Sequence, residues 1–115
     1  MKKILLFCLV IALVLCTNTY AKVAPTVMKI GADWCPPCRE VKAMLKQVEK
    51  KLKAGGVRLV DVDIDKHPEI GKKYNVSLIP TIIFFDKNGK QVFKQVGAMR
   101  KQEFLDKLKE LGMFK

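Results

Sequence analysis

Apolar residues follow three patterns along the chain: one unbroken run, several short β-rich stretches and repeats at helical spacing. The unbroken run covers residues 4–16. The β-rich stretches are 26–32, with Val27, Met28 and Ile30; 57–64, apolar enough for a central strand; and Thr81-Ile82-Ile83-Phe84-Phe85, the strongest of them. Residues 90–96 pair back on the last across the Asp86-Lys87-Asn88-Gly89 turn, making a hairpin. Val41, Leu45, Val48 and Leu52 recur at helical spacing over 36–53, with Lys42, Lys46 and Lys50 on the wet face. Gly55-Gly56 stops that helix. Pro68 opens a short helix over 68–74, and a last helix over 100–111 faces inward with Phe104, Leu105, Leu108 and Leu111. The predicted order is β-α-β-α-β-β-α, a four-stranded mixed sheet with helices on both faces. Nothing in the sequence reads as a repeat, a linker or a low-complexity run.

The first apolar run stands outside this pattern. Met1-Lys2-Lys3 precedes it, and Thr17-Asn18-Thr19-Tyr20-Ala21 follows it and ends on a small residue. That is the three-part layout of a secretory signal, and the run is shorter than the roughly 20 residues of a membrane span. Residues 1–21 are read as a signal peptide and 22–115 as the working domain, exported to a bacterial periplasm or to the outer face of the membrane. The competing readings are weaker. A buried first helix would need a polar face. Lipid attachment at Cys16 would need a small residue just before it, where the chain has Leu13-Val14-Leu15. An uncleaved anchor is the remaining alternative.

This division changes what the composition means. The 115 residues hold 22 Lys+Arg, 11 Asp+Glu and four Cys. The first 21 take away Lys2, Lys3, Cys8 and Cys16, so the charge of +11 becomes +9 and a single cysteine pair is left. The remaining Lys residues are spread over helix faces and turns, without the focused patch that nucleic acid requires. No nucleic-acid partner is expected. A solvated basic surface is the main reading, with attraction to acidic lipid or an acidic partner second.

The pair is Cys35-Pro36-Pro37-Cys38, at a strand-to-helix junction. Unpaired N–H groups and the positive dipole end of the helix favour a thiolate on Cys35. Lowering a thiol pKa from about 8.5 to about 7 makes about half of it nucleophilic at neutral pH. Cys38, one turn on, is placed to attack a mixed disulfide on Cys35. A structural staple is a poor alternative, because so short a loop removes little chain entropy. A zinc site would usually need two more ligands, and only His67 is on offer; His67 itself reads as solvent-exposed. A two-thiolate copper(I) site stays open as an alternative. No metal and no cofactor is assigned.

From these residues the chain resembles the thioredoxin family. The matching segments are Ala32-Asp33-Trp34-Cys35-Pro36-Pro37-Cys38-Arg39, Val62-Asp63-Ile64-Asp65 with Pro68, Tyr74-Asn75-Val76 with Ile79-Pro80-Thr81, and the stretch from Phe84-Phe85 through Gly89 to Val96-Gly97-Ala98. The resemblance spans about residues 26–111. It implies a thioredoxin-like three-layer fold, trimmed of the family's leading strand and helix. It further implies Cys35 as nucleophile, Cys38 as resolving thiol, Pro80 as the cis-proline beside them, Ile79 pairing with the substrate backbone, and Trp34 as a flanking contact surface. The linker is Pro-Pro where thioredoxin has Gly-Pro, and it lacks the His of strongly oxidising relatives, which points to a more reducing couple.

The family's buried acid aligns with Lys29, and its partnering Lys with Asp61. Strand alternation puts Val27, Lys29 and Gly31 on one face and Leu59, Asp61 and Asp63 on one face, so a contact beneath the dithiol is expected. Asp61, or the pair with Lys29, is the candidate for managing the Cys38 proton. The competing reading leaves both as strand-end charges in water.

The expected activity is thiol–disulfide oxidoreduction by a monomer that reduces disulfides in exported proteins. A membrane thiol-reducing transporter of the DsbD/CcdA type would supply the electrons. The alternatives are a disulfide-introducing oxidase and a copper- or partner-binding module on the same scaffold.

Overall fold

The structure is a computed structural model that describes residues 3–4 and 23–114. The signal segment read at 1–21 falls outside the described residues except for Lys3 and Ile4. The elements run β1 (Thr26–Gly31), α1 (Pro36–Ala54), β2 (Arg58–Asp63), α2 (Pro68–Lys73), β3 (Thr81–Phe85), β4 (Gln91–Val96) and α3 (Lys101–Glu110). This is the expected β-α-β-α-β-β-α order, with boundaries moved by a residue or so where helix and strand ends fray.

The sheet order is β2-β1-β3-β4, with β1 and β2 parallel and the other pairs antiparallel. The sheet departs from the expected arrangement at one strand. The 57–64 stretch forms an edge strand, not a central one: among the described residues it pairs only with β1. Its side chains are half-covered at Leu59 and Val60 and exposed at Arg58 and Asp61. An apolar β-branched run is the same in sequence at either position, and only pairing separates the two. The central strands are β1 and β3, and every residue of β3 is buried.

Alternation along the strands divides the core. Val27, Ile82 and Phe84 point to the face covered by α1 and α3, where they meet Val41, Leu45, Val48, Leu52, Phe104 and Leu108. The Phe84 ring lies 5.6 Å from Phe93 and 5.7 Å from Phe104. Ile30, Val62, Ile83 and Phe85 point to the opposite face, under Ile70 of α2 and Tyr74 just past its end. Tyr74 meets Phe85 edge-on at 5.5 Å. Helix α2 sits close enough to the sheet that a Cβ at Gly71 would stand 2.5 Å from Ile64 Cδ1. Burying each large apolar side chain contributes about 1.5–3 kcal/mol, so these two faces hold the scaffold on which the junction between β1 and α1 is fixed.

Candidate active site

Strand β1 ends at Gly31, and after four intervening residues α1 begins with two prolines, whose missing N–H groups cost nothing in a first turn. Cys35 is the N-cap of α1: its backbone is extended (φ −92°, ψ 111°), and its Sγ accepts a hydrogen bond from the Cys38 N–H at 3.3 Å. Its own N–H donates to the Ala32 carbonyl at 3.2 Å, which closes the turn between strand and helix. Cys35 and Cys38 are joined as a disulfide with Cα atoms 5.2 Å apart. Cys38 is fully buried and Cys35 nearly so. Ala32 packs with both, and Ile64 and Ile79 lie against them.

Ile79 and Pro80, separated by 41 or more positions from the cysteines in sequence, are thus brought to the dithiol, and the bond between them is cis. Two hydrogen bonds hold this loop. Thr81 Oγ1 donates to the Leu78 carbonyl at 2.6 Å, and the Gly97 N–H donates to the Pro80 carbonyl at 2.8 Å. Trp34 lies beside the pair with 68% of its surface exposed. Its indole Nε1 donates to Asp65 Oδ2 at 2.7 Å, and the Asp65 N–H in turn donates to Asp63 Oδ1 at 2.9 Å.

The residues read from the sequence therefore fall into two layers. Trp34, Cys35, Cys38, Ile79 and Pro80 make the outer layer, and Lys29 and Asp61 lie beneath. The last two are register partners on β1 and β2, and Lys29 Nζ donates to Asp61 Oδ1 at 2.8 Å. Lys29 is buried, while the Asp61 side chain is 43% exposed. Lys42 on α1 reaches Asp61 Oδ2 at 3.5 Å and Asp33 Oδ1 at 3.8 Å, both solvated contacts of small energy.

Three contributors went unread in the sequence. Asp65 tethers Trp34, and the parallel register Gly31↔Asp63 was the signal for it, because it brings the ends of β1 and β2 to the same side. Leu78 is 65% exposed next to Ile79 and adds apolar surface. Lys94 on β4 donates to the Tyr74 and Asn75 carbonyls at 3.0 and 2.8 Å and fastens the turn that leads to the cis bond; no local pattern marks it. His67 is exposed, with Nδ1 3.2 Å from Glu69 Oε1. Among the described residues no three His, Cys, Asp or Glu side chains gather as a metal site.

Two sulfurs one helical turn apart, alternately joined and free, exchange electron pairs with outside disulfides, and this places the protein among the thiol–disulfide oxidoreductases. Comparison with known proteins narrows the class. The family model described as Thioredoxin matches residues 17–110, and the chain belongs to the thioredoxin family. It is 35% identical over 82 residues to a thioredoxin of Rickettsia felis, covering 71% of this chain and 76% of that one. It is 33% identical over 88 residues to a thioredoxin of Chlamydia caviae, covering 76% and 83%. Among solved structures, a chain from work on the thiol resolving mechanism of yeast mitochondrial 1-Cys peroxiredoxin superposes with a TM-score of 0.68 at 26% identity, over 81% of this chain and 84% of that one. Thioredoxin-2 of the malaria parasite shares the fold with a TM-score of 0.70 at 23% identity, over 76% and 82%.

Proposed function

We propose that the protein works outside the cytoplasm, reducing disulfides in exported proteins. The Cys35 thiolate attacks one sulfur of a substrate disulfide. A mixed disulfide forms, and the other substrate sulfur leaves as a thiolate that takes a proton from water. Cys38, as thiolate, then attacks Cys35 Sγ; the Cys35–substrate bond breaks, the second substrate thiol departs, and the Cys35–Cys38 disulfide remains. Two electrons have passed to the substrate, and a membrane thiol-reducing transporter returns them by the same exchange in reverse. Ile79 and Pro80 offer the substrate backbone an edge to pair with, and Trp34 offers its side chains an apolar face.

The observation that carries the reducing direction is the linker. Pro36 and Pro37 bring no imidazole or charge to Cys35, whose thiolate is left to the helix N-terminus alone. The N-terminal basic–apolar–polar layout supports the extracytoplasmic address.

A Cys38→Ala variant of the full chain, expressed in its native cell, tests both parts. Exported proteins should accumulate on Cys35 as thiol-releasable adducts, and the recovered chain should begin at Lys22. An empty trap would remove the substrate-reducing reading, and a full-length chain confined to the cytoplasm would remove the address.

A further inference from the structure

We propose that Lys29 supports resolution from beneath the dithiol by holding the Cys38 sulfur in its thiolate form, with the Asp61 carboxylate competing for the Lys29 ammonium. The inference rests on the exchange chemistry above and concerns its second step.

Cys38 must ionise to attack Cys35, yet its side chain is fully buried, and burial disfavours a thiolate. The helix end gives it little help, because the Cys38 N–H is directed at Cys35 Sγ. Lys29 supplies what is missing. A Cβ built on Gly31 would stand 2.9 Å from Cys38 Sγ and 3.1 Å from Lys29 Cε. The sulfur and the end of the lysine stem therefore share the space a side chain at 31 would fill. Lys29 Cε lies within about 6 Å of Cys38 Sγ, with the ammonium one bond further on, near enough for a buried cation to favour a neighbouring anion. Lys29 is 4% exposed, so water screens it little.

The other charges around this point are wetter. A cavity of about 120 Å³ borders Lys29 and Gly31 and is also lined by Asp33, Lys42, Asp61, Asp63 and Lys66. Lys46 and Glu49 of α1 line a second pocket that also borders Lys29. These groups have the paths to solvent that Lys29 lacks. In the step itself the Cys38 proton leaves to water, and the electron pair on Cys38 forms the bond to Cys35 as the substrate sulfur departs.

The test is the pH midpoint of alkylation at Cys38, read on the Cys38 peptide by mass spectrometry with the full chain carrying Cys35→Ala. Adding Lys29→Met should raise the midpoint by about one unit, a tenfold loss of thiolate at neutral pH. Lys29→Arg should restore it. Asp61→Asn should lower it, because the ammonium loses its competing partner. A Lys29→Met midpoint within about 0.3 unit of the parent would overturn the proposal. So would an Asp61→Asn midpoint that rises, and that arm needs no change at a buried position if Lys29→Met does not fold. No substrate takes part, so failure here leaves the trapping result of the preceding section untouched.

Discussion

The two faces of the sheet are built from neighbouring residues of the same strands, yet they differ in kind. The face under α2 holds no buried charge among the described residues: Ile30, Val62, Ile83 and Phe85 meet Ile70 and Tyr74, and the buried Thr81 hydroxyl is satisfied by the Leu78 carbonyl. The face under α1 and α3 is apolar at Val27, Ile82 and Phe84 but is interrupted by the buried Lys29, next to the point where Gly31 leaves room for Cys38. Chemistry is concentrated on the face with the longer helix. A 19-residue α1 with six buried side chains anchors the cysteines firmly enough for a charge to be carried beside them. The six-residue α2 serves as a cover.

This contrast can be broken by substitution. Phe84→Ala removes a ring packed against Phe93 and Phe104, and the urea midpoint should report a loss of about 3–5 kcal/mol. Phe85→Ala, whose ring meets Tyr74 alone among the aromatics, should cost less; equal losses would mean that the faces bear equal weight. Gly31→Ala forces a methyl to 2.9 Å from Cys38 Sγ and 3.1 Å from Lys29 Cε. It should cost about 1–3 kcal/mol in chemical denaturation, with slower insulin-disulfide reduction, because overpacking falls on the site itself. Ile83→Val, on the covering face, should cost about 0.5–1.5 kcal/mol in the same denaturation and leave the reduction rate unchanged. A slowed rate there would show that the second face also sets the site.

Local periodicity carried most of the architecture. β3 is legible to the residue because five β-branched or aromatic positions, four of them apolar, sit between a proline and a turn. The Lys29–Asp61 contact was implied by the family resemblance together with strand alternation, and the parallel register pairs the two residues. What escaped was set by pairing at a distance. The edge position of β2 depends on which strand lies beside it, not on its own composition. The Asp65 hold on Trp34 and the Lys94 hold on the Tyr74–Asn75 turn join segments 31 and about 20 positions apart through polar side chains that look like ordinary surface residues. Of the site, the parts that carry sulfur or proline announced themselves, and the parts that position them did not.

The cap of α1 sets stability against reactivity. Position 35 is where a helix of this length gains most from serine, threonine, aspartate or asparagine, because an oxygen accepts from a backbone N–H more strongly than sulfur does. This chain has a cysteine there, accepting at 3.3 Å. Fold and chemistry therefore ask for different residues at position 35: an oxygen there would cap α1 more strongly and would carry no redox sulfur.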